Sequence, residues 1–222
     1  MDRLLMSQKL SRKAGVNFAG PSTTIGQTGQ FLQLVEWIDE AYCFIQNIHP
    51  TWQFLRLTFS KVLTPNDGTY TSTDLSLTSL KDYATEDWRI FLAAADECEI
   101  TYMEWKDFRL AYQMGSSLTQ TGRPIAFSVM PDDTVVLFPI PDAAYTLKGE
   151  YFRGNHEMTA NADEPIFHDD FHWAVIWKAL TYYASEYGEP DKFATGNREL
   201  NKLVRMMEKK YLPRLTWGRP LV

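Results

Sequence analysis

Between Thr146 and Tyr211 the apolar repeat of the chain changes from two residues to about 3.6, and that change restricts the fold more than any other feature. A chain that does both in succession needs strands and helices segregated along its length, which is the α+β class. Upstream of the change, Ile125, Phe127 and Val129 alternate with small or polar residues, and Pro131-Asp132-Asp133 supplies a turn. Thr134 to Phe138 is apolar on both faces, as a strand covered from two sides requires. Pro139 and Pro141 have no N–H to continue a ladder and end it. Tyr145, Leu147 and Tyr151 then alternate with Lys148 and Glu150. The pattern predicts a three-stranded antiparallel meander with one wet face.

After Gly154 the helical period takes over. Phe171 to Tyr187 is apolar nearly all round, leaving a strip of Lys178, Thr181 and Ser185 for water, so this helix is expected to be buried on most sides. Gly188 and Pro190 stop it and start another, whose seam of Leu200, Leu203, Val204, Met207 and Tyr211 predicts antiparallel packing on the first. Pro213 ends that helix. The tail 214–222, with Pro220, Gly218 and Trp217, does not read as helix.

In the first half, residues 4–14 read as a short amphipathic helix and the glycine-rich stretch from Gly15 to Gly29 as a loop. Gln30 to Ile48 is a strong helix with Phe31, Val35, Ile38, Tyr42, Ile45 and Ile48 on one face, closed by His49-Pro50. Leu55 to Leu63 alternates as a strand, Pro65 to Gly68 is a turn, and Thr69 to Thr73 returns as a second strand. Asp87 to Ala93 and Glu99 to Met103 are further strand candidates, and Met103 to Met114 a short helix. The expected architecture is α+β, with a helical bundle formed by the N- and C-terminal helices and an antiparallel β-rich portion inserted between them. A single domain, 1–222, is expected, in which residues 1–52 are helical, 53–155 are β-rich, 156–213 form a helical hairpin and 214–222 an extended tail.

Several of these phrases occur together in one known family. Arg123-Pro124, the short acidic turn, the run FPIPDAAYTL from Phe138 to Leu147, Tyr151-Phe152-Arg153, Pro165, the helix start at Phe171 and the small-aromatic helix of Ala174, Ala179, Tyr183 and Ala184 resemble the phage adaptor, or head-to-tail connector, family related to tail tubular protein A. The resemblance covers roughly the C-terminal two fifths of the chain. It implies a structural virion protein with no catalytic residue, cofactor or metal: a homo-oligomeric ring, twelve-fold by family implication, beneath the portal protein, joined below to a tail or nozzle protein. DNA would pass through that ring without specific binding. The expected location is the neck or tail of the virion, and the host cytoplasm during assembly.

Charge and composition bear on that expectation. Residues 198–222 hold seven basic and two acidic residues, a balance of +5, and residues 1–20 hold four basic and one acidic, +3. With the chain at −6, the intervening residues carry −14, a poor surface for nucleic acid between two basic ends. The basic C-terminal segment is therefore the expected portal-docking surface, through Arg198, Lys202, Arg205, Lys209, Lys210, Arg214, Trp217 and Arg219. Seven Trp and eleven Tyr suit large contact surfaces. Cys43 and Cys98 have no metal spacing and read as ordinary thiols of a reducing compartment. No secretory leader or membrane-length apolar run is legible.

One constellation offers chemistry. His168-Asp169-Asp170-Phe171-His172 sets two imidazoles four residues apart, the spacing by which one helix face shares a metal, and a metal-dependent hydrolase using His168 and His172 is the alternative reading. Against it, the aspartates suit a helix start, where negative charge meets free N–H groups. A binding module gripping a protein partner through its aromatic surface is a third possibility. The chain has no Gly-x-Ser-x-Gly elbow and no phosphate loop ending in Gly-Lys-Ser/Thr, and Met206 and Met207 read as core.

Overall fold

The computed structural model describes residues 1–212. Along the chain run α1 (Arg3–Ala14), α2 (Gly29–Ile48), β1 (Arg56–Val62), β2 (Thr69–Tyr70), β3 (Leu80–Phe91), β4 (Cys98–Glu99), β5 (Thr101–Tyr102), α3 (Trp105–Tyr112), β6 (Thr121–Gly122), β7 (Ala126–Val129), β8 (Val135–Phe138), β9 (Ile140–Pro141), β10 (Thr146–Arg153), α4 (His172–Glu186) and α5 (Pro190–Tyr211). The α+β class holds. Two compact units emerge among the described residues, one of residues 1–54 with 155–212, the other of residues 55–154.

In the first unit α4 is the hub, touching α1, α2 and α5. Ala174, Val175, Ile176, Ala179, Leu180 and Ala184 are all buried there, as are Met6 and Leu10 of α1 and Leu34, Ile38 and Ile45 of α2. The hairpin of α4 and α5 is antiparallel: Lys192 at the start of α5 lies over Tyr183 near the end of α4, while Tyr211 packs edge-on to Phe171. Thr181, expected on the wet strip, is buried instead. A Cβ at Gly196 would come within 2.9 Å of its methyl and 3.0 Å of the Trp177 carbonyl, so the bare glycine is what lets α5 come this close. The Thr181 hydroxyl turns back to donate to the Lys178 carbonyl at 2.6 Å.

The second unit corrects the expected meander. β7 and β8 do pair antiparallel, but β10 leaves them and enters a different sheet, between β1 and β3. One sheet runs β1-β10-β3-β4, the other β2-β8-β7-β5, and β6 and β9 form a short parallel pair. The reason lies in Pro139 and Pro141, which end the β8 ladder and let the chain cross over before Thr146. β8 is buried on both faces for a reason the sequence pattern anticipates: Val135 and Leu137 enter the core between the sheets, while Val136 and Phe138 pack under α3. Other strand boundaries differ too. Thr69 to Thr73 shrinks to two residues, Glu99 to Met103 splits at buried Ile100, and the candidate at Asp87 proves to be the end of a strand that starts at Leu80.

The early half of β3 escapes the alternation rule because the strand bulges. Lys148 pairs with Arg89 but Glu150 with Ala84, so one residue of β10 faces four of β3. Within the bulge Asp87 takes a φ of 57°, and Trp88 turns fully inward, donating its indole N–H to the Ala84 carbonyl at 2.7 Å. Its ring stacks on Phe127 of the facing sheet at 4.2 Å and meets Phe59 edge-on at 5.0 Å. Gly149 is the residue opposite. A Cβ there would sit 2.8 Å from both Phe59 and Trp88 ring atoms. Gly149→Ala is expected to destabilise the protein by about 1–3 kcal/mol through overpacking, read as a lower urea midpoint, whereas an unchanged midpoint would mean that the bulge yields freely.

Candidate docking surfaces

The basic residues of α5 fall into order once the helix is built. Arg198, Lys202, Arg205 and Lys209 follow at steps of four, three and four residues, which places them on one face, and all four are exposed. Glu199 occupies the upper end of that stripe, taking Arg198 at 3.0 Å and Lys202 at 2.9 Å, and the two cations hold its carboxyl below the ordinary range. Arg205 and Lys209 have no carboxylate partner among the described residues. Lys210 stands off the stripe, with its ammonium over the Phe171 and Tyr211 rings. Lys209 and Lys210 also face the negative end of the helix dipole, so some of this charge stabilises α5 itself. Pro213, Arg214, Trp217 and Arg219 lie outside the described residues.

A second basic surface joins two helices distant in sequence. Lys9 and Lys13, one turn apart on α1, lie over Trp173 and Trp177, one turn apart on α4: Lys9 is 4.7 Å from the Trp173 centroid and Lys13 4.2 Å from that of Trp177. Sequence spacing gives no hint of this pairing, because 160 residues and more separate the partners.

His168 and His172 are not brought together as a ligand pair. His168 precedes the helix in extended conformation, its ring exposed and its Nδ1 accepting from the Asp170 N–H at 3.4 Å. Thus the imidazole caps this turn, and the aspartates supply its negative charge. His172 is fully buried, with Nε2 donating to the Phe167 carbonyl at 3.0 Å and Nδ1 against the Met1 amine at 2.6 Å. Both of its nitrogens are engaged within the fold. Among the described residues no group of three or more His, Cys, Asp or Glu is placed to hold a metal ion. Cys43 and Cys98 are both free thiols, and no helix among these residues is long and apolar enough to cross a membrane.

Two cavities of several hundred Å³ are present among the described residues. One, of about 550 Å³ in the first unit, lies beside Arg3, Asp39, Tyr42, Cys43 and His156. Its polar groups are already engaged: Arg3 forks onto Asp39 and also donates to Thr24 and the Thr159 carbonyl, while Cys43 accepts from Asn155 at 2.8 Å. The other, of about 710 Å³, lies over the polar face of the sheet containing β10, beside Arg89, Glu97 and Lys148.

The described residues thus present an exposed cationic face on α5 and a Lys-Trp surface on α1 and α4. The model of the SU10 adaptor protein family matches residues 13–220, and the chain belongs to that family of phage head–tail adaptors. Membership supports a structural role in tailed phage and leaves the hydrolase alternative without support. No curated protein matches the chain.

The burial of His172 has a measurable consequence. Desolvation, aided by the nearby amine, pushes its pKa below the ordinary 6.5 against the opposing pull of the Phe167 carbonyl. A lowered folded value means that the unfolded chain takes the proton first. Stability is expected to fall as pH drops below 6.5 and to level off under the folded value. His172→Gln should cost about 1–3 kcal/mol at neutral pH and flatten that region of the profile, while His168→Gln should stay within about 0.5 kcal/mol, both read from urea unfolding across pH. An unaltered profile in His172→Gln would show that this imidazole does not titrate with folding.

Proposed function

We propose that the protein is a ring-forming adaptor at the neck of the virion, docking on the portal protein through the basic face of α5 and the residues that follow it, and receiving a tail or nozzle protein below. The helices of the two chain ends would act as one bundle, the rigid block of each subunit, with twelve copies closing the ring. The observation that carries the docking assignment is the continuous stripe of Arg198, Lys202, Arg205 and Lys209, half of it unpaired among the described residues. Unpaired cations on a rigid helix favour fast, salt-sensitive association with an acidic surface. The membership of the chain in a head–tail adaptor family supplies the setting.

The double reversal Arg205→Glu/Lys209→Glu is expected to leave a folded protein that fails to join portal-containing heads, and deletion of residues 215–222 to act in the same direction, as counted by completed infectious particles. Particles completed at the ordinary yield by both variants would refute the assignment. The −14 balance of residues 21–197 favours a lumen along which DNA slides without being held. Affinity for duplex DNA at physiological salt should accordingly be weak and confined to the basic ends. Tight duplex binding that survives removal of both ends would move the protein to the nucleic-acid-processing class.

A further inference from the structure

On α2, Leu32, Glu36, Glu40 and Phe44 follow one another at steps of four residues, all on the solvent side of the helix. Leu32 and Phe44 are 38% and 41% exposed, and neither glutamate has an ion-pair partner among the described residues. The stripe is acidic at its centre and apolar at both ends. The surface on α1 and α4 has the complementary character: Lys9 and Lys13, with no carboxylate partner among the described residues, lie over the half-buried rings of Trp173 and Trp177. A cavity of about 280 Å³ opens beside Trp177, walled by Lys13, Leu180, Asp191, Lys192 and Thr195, with room for a side chain. In both surfaces the charges are one helical turn apart, so two ion pairs can form in a single register. The two surfaces occupy different faces of the unit. Trp173 and Trp177 stand on the side of α4 toward α1, whereas Lys178, which stands over one face of the still half-exposed Phe44 ring, belongs to a row on α4 rotated by about 100° from that of Trp177.

We infer that these two surfaces are the two halves of one subunit contact, with Glu36 and Glu40 of one copy meeting Lys9 and Lys13 of the next while Leu32 and Phe44 pack on Trp173, Trp177 and the cavity beside them. A contact between unlike faces repeats head to tail and closes a ring when its rotation allows. Tryptophan is also among the residue types that carry most binding energy in interfaces. The inference rests on the ring reading above and gives it a side-by-side contact separate from the α5 face.

Charge reversal in two sets tests it. Lys9→Glu/Lys13→Glu makes both faces acidic, and Glu36→Lys/Glu40→Lys makes both basic. Each variant alone should need a concentration roughly tenfold or more higher than wild type to associate, because like charges now meet. Mixed in equal amounts, the two should co-assemble again, since every contact then joins opposite charges. Mass by sedimentation, free and in the presence of the portal ring, is the readout, with circular dichroism confirming that each variant is folded. Wild-type association in folded variants, or no recovery on mixing, overturns the contact while leaving the ring intact. Wild type that stays a single copy both free and on the portal overturns the ring reading and the contact together. If Lys9→Glu/Lys13→Glu keeps its mass but loses affinity for single-stranded DNA, the Lys-Trp surface serves nucleic acid and the inference is wrong.

Discussion

Burial of α4 is the constraint on which the first unit depends. A fifteen-residue helix with nine buried positions cannot stand in water, and no single neighbour covers so many sides. Three helices have to surround it, and one hundred residues of other structure separate two of them from it along the chain. The ends of the chain must therefore meet, whatever the middle does. Polar anchors fix how they meet. Arg3 binds Asp39 of α2 through its fork, and its backbone N–H reaches the Asp163 carbonyl at 2.8 Å, so α1 is held to α2 and to the segment leading into α4. Gln46, buried on α2, exchanges hydrogen bonds with the backbone of His156 at 3.0 and 2.8 Å. Directional bonds of this kind set register where apolar packing alone would tolerate sliding.

The second unit solves a different problem, the seating of one large side chain between two sheets. Trp88 is central because its indole stacks on Phe127, meets Phe59 and Tyr83 edge-on, and has its N–H satisfied within its own strand. The bulge in β3 and the bare backbone at Gly149 are the two local departures that make room for it. Both break the alternation by which strands are recognised. The irregular stretch of β3 and the best-packed region of this core are thus the same feature.

For an adaptor, this division of labour has a functional sense. The apolar groups are spent on α4 and Trp88, and the charged residues are left outside, sorted by helix face: cations on α5, cations over tryptophans on α1 and α4, and acids on α2. Segregation of this kind gives one protein several chemically distinct sides, and each side can then select its own partner.

Local pattern alone determined much of this. The change of period sets the α+β class, and the helical repeats give α1, α2, α4 and α5 to within a few residues, because an amphipathic face is visible whatever it packs against. The two-sided burial of β8 is legible in its unbroken apolar run. The basic character of α5 is equally a sequence property, as is the family resemblance carried by the stretch from Arg123 to Tyr211. Tertiary structure alone decided which sheet β10 joins, since strand partners are chosen by long-range packing that a proline-rich crossover does not specify. It also decided that Thr181 is dry, because its cover is a glycine fifteen residues away. It separated His168 from His172, one a cap and the other a core residue, although their spacing suits a shared ligand. And it set Lys9 and Lys13 over Trp173 and Trp177, a surface that exists only because α4 draws both ends of the chain onto itself.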